Sequence, residues 1–212
     1  GSLYSPWEFN WKRDSDFPNG VQTHALALPI FNFGLVNLRG NAYNRTNLEQ
    51  AQADIYKIYA ITAIRSAIKY GWKAYGGGTF SAKYLAEGAL YFRSASGYLS
   101  KFNSTIVQEV TQLFGLSRTS FTEADACSVK TKLESMYTQA GISCDEVGAW
   151  RSAPTGSCVK AACTGGSVTL TAPNTNYVAG CTTEQDQQTT SSASAAGVAL
   201  ASVAVAAVAA MA

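Results

Sequence analysis

A helical repeat of apolar residues between positions 47 and 78 constrains the fold of this chain more than any other feature of its sequence. Isoleucine and aromatic side chains recur there every three or four residues, at Ile55, Ile58, Tyr59, Ile61, Ile64, Ile68 and Trp72. This spacing places them on one face of an α-helix. Asn47, with Gln50 three residues later, is the expected N-cap. The glycines at 76–78 predict where the helix ends.

Three further helical patterns follow along the chain, over residues 81–101, 104–114 and 122–141. Long helices with short connections predict a mainly α fold, an antiparallel helical bundle. Earlier, an apolar run over 24–38 contains Pro29 and predicts a short buried helix that is kinked or begun at the proline. Residues 1–20 are aromatic and charged and end in the turn sequence FPNG, which predicts an irregular segment. The helical domain is therefore expected to span residues 21–151.

The composition changes after Trp150. Residues 152–194 are rich in serine, threonine and glycine, and we interpret them as a disulfide-pinned, loop-rich stalk. Residues 195–212 are almost purely alanine and valine, which predicts a membrane-targeting tail outside the fold. Small residues at Ala179-Gly180, a polar spacer over 182–194 and this apolar end match the pattern of a lipid-anchor signal. The alternative is a weak tail-anchored helix, so that the membrane is the expected partner in either case.

The cysteines and the glycosylation sequons indicate a secretory environment. All five cysteines lie in the second half of the chain, with spacings that do not fit a paired zinc site. Cleavage near Gly180 would discard Cys181 and leave four disulfide candidates: Cys127, Cys144, Cys158 and Cys163. Asn44 and Asn103 begin N-glycosylation sequons. These features predict a location on the extracellular face of the plasma membrane or in the periplasmic space.

Charge and motif content argue against two classes of function. Charged residues make up 14% of the chain, the formal net charge is +2, and the basic residues are scattered, so nucleic acid is not an expected partner. His24 is the single histidine, and no G-x-S-x-G motif accompanies it. Gly76-Gly-Gly78 has neither the strand nor the lysine of a phosphate-binding loop. We therefore predict a protein that is not an enzyme.

Two carboxylates fall within apolar helical faces and suggest either ion pairs or a metal site. Asp54 and Glu87 would be costly to bury unless they were paired or coordinated. In the structural interpretation they pair with Arg65 or Lys69, or bond to tyrosine hydroxyl groups. In the functional interpretation they form a hard-cation site with nearby tyrosines and a histidine, for which iron is the expected metal. The candidate ligands are Asp54, Glu87, Tyr91 and His24.

Several stretches resemble the algal low-iron-inducible periplasmic proteins, also called iron-assimilation or high-CO2-inducible periplasmic proteins. They are AIRSAIKYGWKAY at 63–75, AEGALYFR at 86–93, Cys127 and SCDEVG at 143–148, followed by the apolar C-terminus. The resemblance covers about residues 21–150 and implies a surface protein that binds or concentrates iron outside the cell without catalysis. The alternative hypothesis is a structural or adhesive surface glycoprotein without a metal site. Trp7, Trp11 and the stalk favour it, and other cell-surface proteins would be its partners.

Overall fold

Six α-helices account for most of residues 6–39 and 43–160, which are the residues that the computed structural model describes. They are α1 (Pro6–Asp16), α2 (Thr23–Leu38), α3 (Arg45–Tyr75), α4 (Ala82–Leu113), α5 (Glu123–Glu134) and α6 (Cys144–Val147). No residue in these two ranges lies in a β-strand. The predicted mainly α class is therefore confirmed for this part of the chain. Most of the predicted stalk and the whole apolar tail lie outside the described residues.

Helix α3 forms the centre of the fold and contacts each of the other five helices. Its middle is buried on all sides, with Ile61, Ile64 and Ala67 each at most 1% exposed. The helix ends as predicted, because Gly76 adopts the left-handed conformation (φ 59°) that an L-residue with a side chain rarely takes. The predicted N-cap is wrong, since the side chain of Asn44 rather than Asn47 accepts the capping hydrogen bond.

Helix α4 packs antiparallel to α3 and is divided into two parts. Tyrosine rings pair across the two helices in opposite sequence order, Tyr70 with Tyr84 and Tyr56 with Tyr98. Asn103 has a non-helical backbone (φ −156°, ψ 92°), and its side chain accepts the N–H of Ile106. It therefore caps the second part of α4. The predicted break between helices at 101 and 104 is confirmed.

The N-terminal segment is helical where we predicted an irregular segment, so that prediction is wrong for Pro6–Asp16. Proline is favoured in the first turn of a helix, where its missing N–H costs nothing. Glu8 and Lys12 form an ion pair one turn apart (3.7 Å). Neither feature would hold so short a helix in isolation. Helix α1 is stable because it docks on α2 and α3.

Helix α2 begins at Thr23 and runs through Pro29, so the proline is neither its start nor its end. Its inward side, formed by Thr23, Ala27, Ile30 and Asn37, is buried. The prediction of a buried helix is wrong for the opposite side. That side exposes five large apolar side chains, between 37% and 62% of each, which are Leu28, Phe31, Leu35, Val36 and Leu38. We refer to these five residues as the α2 patch.

The C-terminal part of the described fold is held by helix caps and a disulfide. Thr122 and Ser143 each form a capping box, at the starts of α5 and α6. Cys127 in α5 is bonded to Cys158. Residues 152–160 were assigned to the stalk by composition, yet Ala153 (5% exposed) and Val159 (1%) belong to the core. The disulfide therefore joins α5 to a segment that is packed against the helices.

Candidate functional site

The most unusual polar feature of the described fold is a buried carboxylate in α1, Asp14, that accepts four hydrogen bonds. Its Oδ1 accepts from the guanidinium of Arg65 (2.5 Å) and the hydroxyl of Thr23 (2.9 Å). Its Oδ2 accepts from the backbone N–H of His24 (2.8 Å) and contacts the Nδ1 of the same residue (2.6 Å). Each carboxylate oxygen therefore has two partners, which is what a buried charge requires.

Arg65 is fully buried in the middle of α3 and uses its guanidinium to connect three parts of the chain. Besides Asp14, it donates to the carbonyl oxygens of Val21 (2.8 Å), Glu146 (2.7 Å) and Val147 (2.7 Å). Burial lowers the pKa of Arg65, and the adjacent carboxylate of Asp14 partly offsets this. The planar fork of donors makes arginine suited to this arrangement. We interpret it as a structural clamp between α1, α3 and α6.

Two further ion pairs extend the contact of α3 with its neighbours. Lys69 of α3 pairs with Asp16 of α1 (2.7 Å), and Lys57 of α3 pairs with Glu146 of α6 (2.7 Å). Asp16 also accepts from Arg13 within α1 (2.6 Å). The sequence-based interpretation paired Arg65 and Lys69 with Asp54 or Glu87. The pairing with these two bases is wrong, because both bond to carboxylates of α1 instead. The other part of that interpretation, a bond to a tyrosine hydroxyl, holds for Glu87, which is hydrogen-bonded to Tyr70.

The candidate metal ligands lie in three places, with Glu87 and Tyr91 together because both contact Tyr70. His24 contacts Asp14, and Asp54 accepts a hydrogen bond from Gln50 (3.1 Å) on the same helix. Glu87 is 31% exposed and lies 3.9 Å from Lys83. Neither carboxylate is fully buried, so the premise that they require a metal or an ion pair does not hold. Within residues 6–39 and 43–160, no three histidine, cysteine, aspartate or glutamate side chains form a group that could hold a metal.

Tyr91 lies in an aromatic cluster that already contains a cation. Its ring stacks on Phe9 and Tyr70, with centroids 5.2 Å apart in both cases. The guanidinium of Arg13 lies 5.4–5.8 Å from the centroids of all three rings. Burial raises the pKa of Tyr70 to about 12, which disfavours the phenolate form that binds iron. The cluster is therefore suited to holding α1 against α3 and α4.

A cleft of about 490 Å³ lies beside the buried carboxylate, between α1 and the start of α2. Trp11, His24 and Arg151 contribute to its walls. An aspartate–histidine pair in a cleft has the first two members of a catalytic triad. Ser15, the hydroxyl residue in the same cleft, donates its hydroxyl to the carbonyl of Trp11 (3.0 Å). This geometry gives the histidine an orienting carboxylate, while the hydroxyl of Ser15 is bonded to a backbone carbonyl.

The sequon and cysteine predictions fall partly within the described residues. Asn44 is exposed and Asn103 half-buried, and each uses its side-chain oxygen as a helix cap. Capping engages Oδ1 and leaves the glycan-accepting Nδ2 uninvolved in the cap. Cys127–Cys158 is a disulfide, Cys144 is disulfide-bonded as well, and Cys163 lies outside the described residues.

The sequence predicted that α2 is buried, and it therefore did not predict the exposed α2 patch. Residues 25–38 carry no charged side chain, and the five members of the patch are exposed although the helix packs on α1 and α3. None of the described helices combines the length and the apolar character that a bilayer-spanning segment needs. The missed signal was the all-round apolar character of a sixteen-residue helix, which packing on one side alone cannot bury.

Asp14 and Arg65 were also missed as partners. The available signal was an arginine at the centre of the apolar face of α3, which requires an acidic partner, and an acidic pair at positions 14 and 16 that had no other assigned role.

Comparison of the chain with protein-family models, with curated proteins and with solved structures finds no match. The resemblance to the algal iron-assimilation proteins therefore stays a prediction from sequence.

Proposed function

We propose that this chain is a non-catalytic surface glycoprotein of the structural or adhesive kind, which associates with a partner through the α2 patch. The observation that carries this proposal is the exposure of five large apolar side chains on a helix that has no charge between positions 25 and 38. From these exposures the patch covers on the order of 500 Å², a size at which apolar patches on monomers are often functional.

The surroundings of the patch support the same function. Trp11 is 47% exposed and lies beside the start of α2, and Tyr43 is 61% exposed just beyond its end. Exposed aromatic residues are enriched in protein interfaces. A buried Trp11 would have argued against a docking role for the N-terminal segment. The disulfide and the two sequons are in keeping with a protein that works outside the cell.

An adhesion assay tests the proposal directly. The full chain is displayed on cells that do not otherwise adhere, and adhesion is measured to beads coated with the same chain and to unmodified cells. We expect adhesion in at least one of these arms, and its loss in a Leu28→Lys/Leu35→Lys variant. Leu90→Lys is the matched control, because Leu90 is a 67% exposed leucine on α4. Equal adhesion of all three proteins, or none at all, would overturn the proposal.

The iron-binding hypothesis is tested separately with the same protein. Among the described residues, His24 contacts Asp14, Asp54 contacts Gln50, and Glu87 and Tyr91 share Tyr70 as a neighbour. An iron titration by calorimetry, with metal counting by mass spectrometry, compares the wild type with an Asp54→Asn/Glu87→Gln variant. Stoichiometric binding that the variant loses would favour the iron hypothesis over the adhesive one.

A further inference from the structure

The outward side of α2 has one polar residue at its centre. With 100° per residue, the buried positions 23, 27, 30 and 37 define the inward direction, and Asn32 projects almost directly opposite to them. Leu28 and Leu35 lie one turn before and after it, and Val36 completes the surrounding apolar ring. Asn32 is itself exposed. A partner that covers the α2 patch must therefore also satisfy a primary amide at its middle.

A primary amide can form a pair of hydrogen bonds with a second primary amide. It carries one acceptor oxygen and an NH₂ donor, so two asparagines related by a twofold axis can each donate to the other. A single asparagine in an apolar helix interface is a known means of setting the register of paired helices. A lipid surface would instead bury the amide of Asn32 among acyl chains without a hydrogen bond. Interfacial helices also carry basic residues on their polar face, and α2 has none between 25 and 38.

The lack of charge on the α2 patch and its exposed area are also suited to association of two copies of the chain. A twofold axis places the same face of each copy against the other, so a face of one charge would repel itself, whereas the α2 patch is uncharged. A stable dimer buries roughly 800 Å² on each partner. The patch supplies on the order of 500 Å² of this. Trp11 and Tyr43 are further exposed aromatic residues near the two ends of α2, and we expect the remaining area to come from residues of this kind beyond the patch.

We propose that α2 pairs with the α2 of a second copy of this chain, antiparallel about a twofold axis at Asn32, where the two side-chain amides exchange hydrogen bonds. This inference rests on the proposed function of the α2 patch as a docking surface, and it identifies the partner. Adhesion between surfaces that carry the same chain would then be homotypic. The apolar ring around Asn32 excludes water from the amide pair.

A charge-pairing experiment tests the contact at the axis. The full glycosylated chain and its Asn32→Asp and Asn32→Lys variants are compared by sedimentation equilibrium, alone and as an equimolar mixture. The wild type is expected to dimerise. Each variant alone is expected to associate at least about a hundredfold more weakly, because identical charges meet at the axis. The mixture is expected to recover the dimer, since the aspartate of one copy then faces the lysine of the other.

Controls separate this contact from other modes of association. Gln108→Asp and Gln108→Lys place the same charges at an exposed position of α4, where they should leave the dimer unchanged. Association through the apolar tail would not respond to charge at position 32. A monomeric wild type, or single variants that dimerise as the wild type does, would overturn the inference. If adhesion to unmodified cells is still lost on Leu28→Lys/Leu35→Lys, the proposed function stands with a different partner.

Discussion

Replacing Asp14 by asparagine should destabilise the fold severely although it changes a single atom of the side chain. Both oxygens of Asp14 face donors, from Arg65 and Thr23 on one side and from His24 on the other. Whichever way the amide of an asparagine is turned, its NH₂ meets a donor that cannot change its role, either the guanidinium of Arg65 or the backbone N–H of His24. The substitution also removes the carboxylate that is paired with the buried guanidinium of Arg65. Both effects act in the folded state alone.

The magnitude follows from the burial of the pair. Removing one partner of a buried ion pair costs about 3–5 kcal/mol. For a domain of this size, each 1 kcal/mol lowers the midpoint of thermal unfolding by roughly 2–4 °C, so a decrease of about 6–20 °C is expected. The assay is chemical and thermal unfolding of the full chain, with its disulfides oxidised, followed by far-UV circular dichroism. Asp54→Asn is the control, and a change within about 0.5 kcal/mol is expected there because Asp54 is only partly buried.

A second variant distinguishes a clamp from a simple ion pair. Replacing both charges by apolar residues often restores the stability that is lost on breaking a buried pair. In an Asp14→Leu/Arg65→Met variant, however, the buried carbonyl oxygen of Val147 would lose its donor, and that of Glu146 would keep only the N–H of Val21. We therefore expect no recovery. A loss below about 1 kcal/mol for Asp14→Asn, or full recovery in the double variant, would refute the clamp.

Three other predictions concern the glycine beside the clamp, the sequon cap and the first turn of α5. In Gly20→Ala the added carbon would lie 2.2 Å from Nη2 of Arg65, so the free energy of unfolding in denaturant should fall by about 1–3 kcal/mol. Gly97→Ala is the control, because an added carbon there meets open space and should stabilise the protein. Asn103→Asp should lower the mass of the secreted protein by one glycan and leave its stability unchanged, because aspartate caps a helix as well as asparagine does. Asn103→Ala should also lose the glycan, and its free energy of unfolding should fall by about 0.5–2 kcal/mol because the cap is lost. Burial alone would raise the pKa of Asp125, but its hydrogen bonds to Thr122 and the nearby guanidinium of Arg118 lower this pKa. The carboxylate therefore stabilises the fold above its unfolded pKa, and this contribution is lost as the pH falls below about 4. In Asp125→Asn, the urea midpoint of unfolding should fall less steeply with acid than in the wild type.

Local patterns in the sequence were sufficient for most helices and several of their ends. The repeat from Ile55 to Trp72 predicted α3, and Gly76 ends it as expected, because periodicity and glycine conformation act within a few residues. The break at Asn103 was likewise predictable, although its role as a cap became clear only from the structure. Where two caps competed, at Asn44 and Asn47, the pattern favoured the wrong one. Both are good capping residues, and contacts outside the helix decide between them.

The partners of charged residues could not be predicted from the sequence, because they depend on which helices become neighbours. Arg65 and Lys69 bond to carboxylates about fifty residues earlier in the chain, rather than to those nearest in the helical pattern. Helix α1 forms for the same reason, since its own sequence is too short to be stable before it docks. Tertiary packing likewise left one side of α2 in water. The sequence by itself determined that residues 25–38 of α2 are uncharged and mostly apolar, and only the tertiary structure decided which side α3 buries and which side, centred on Asn32, stays exposed.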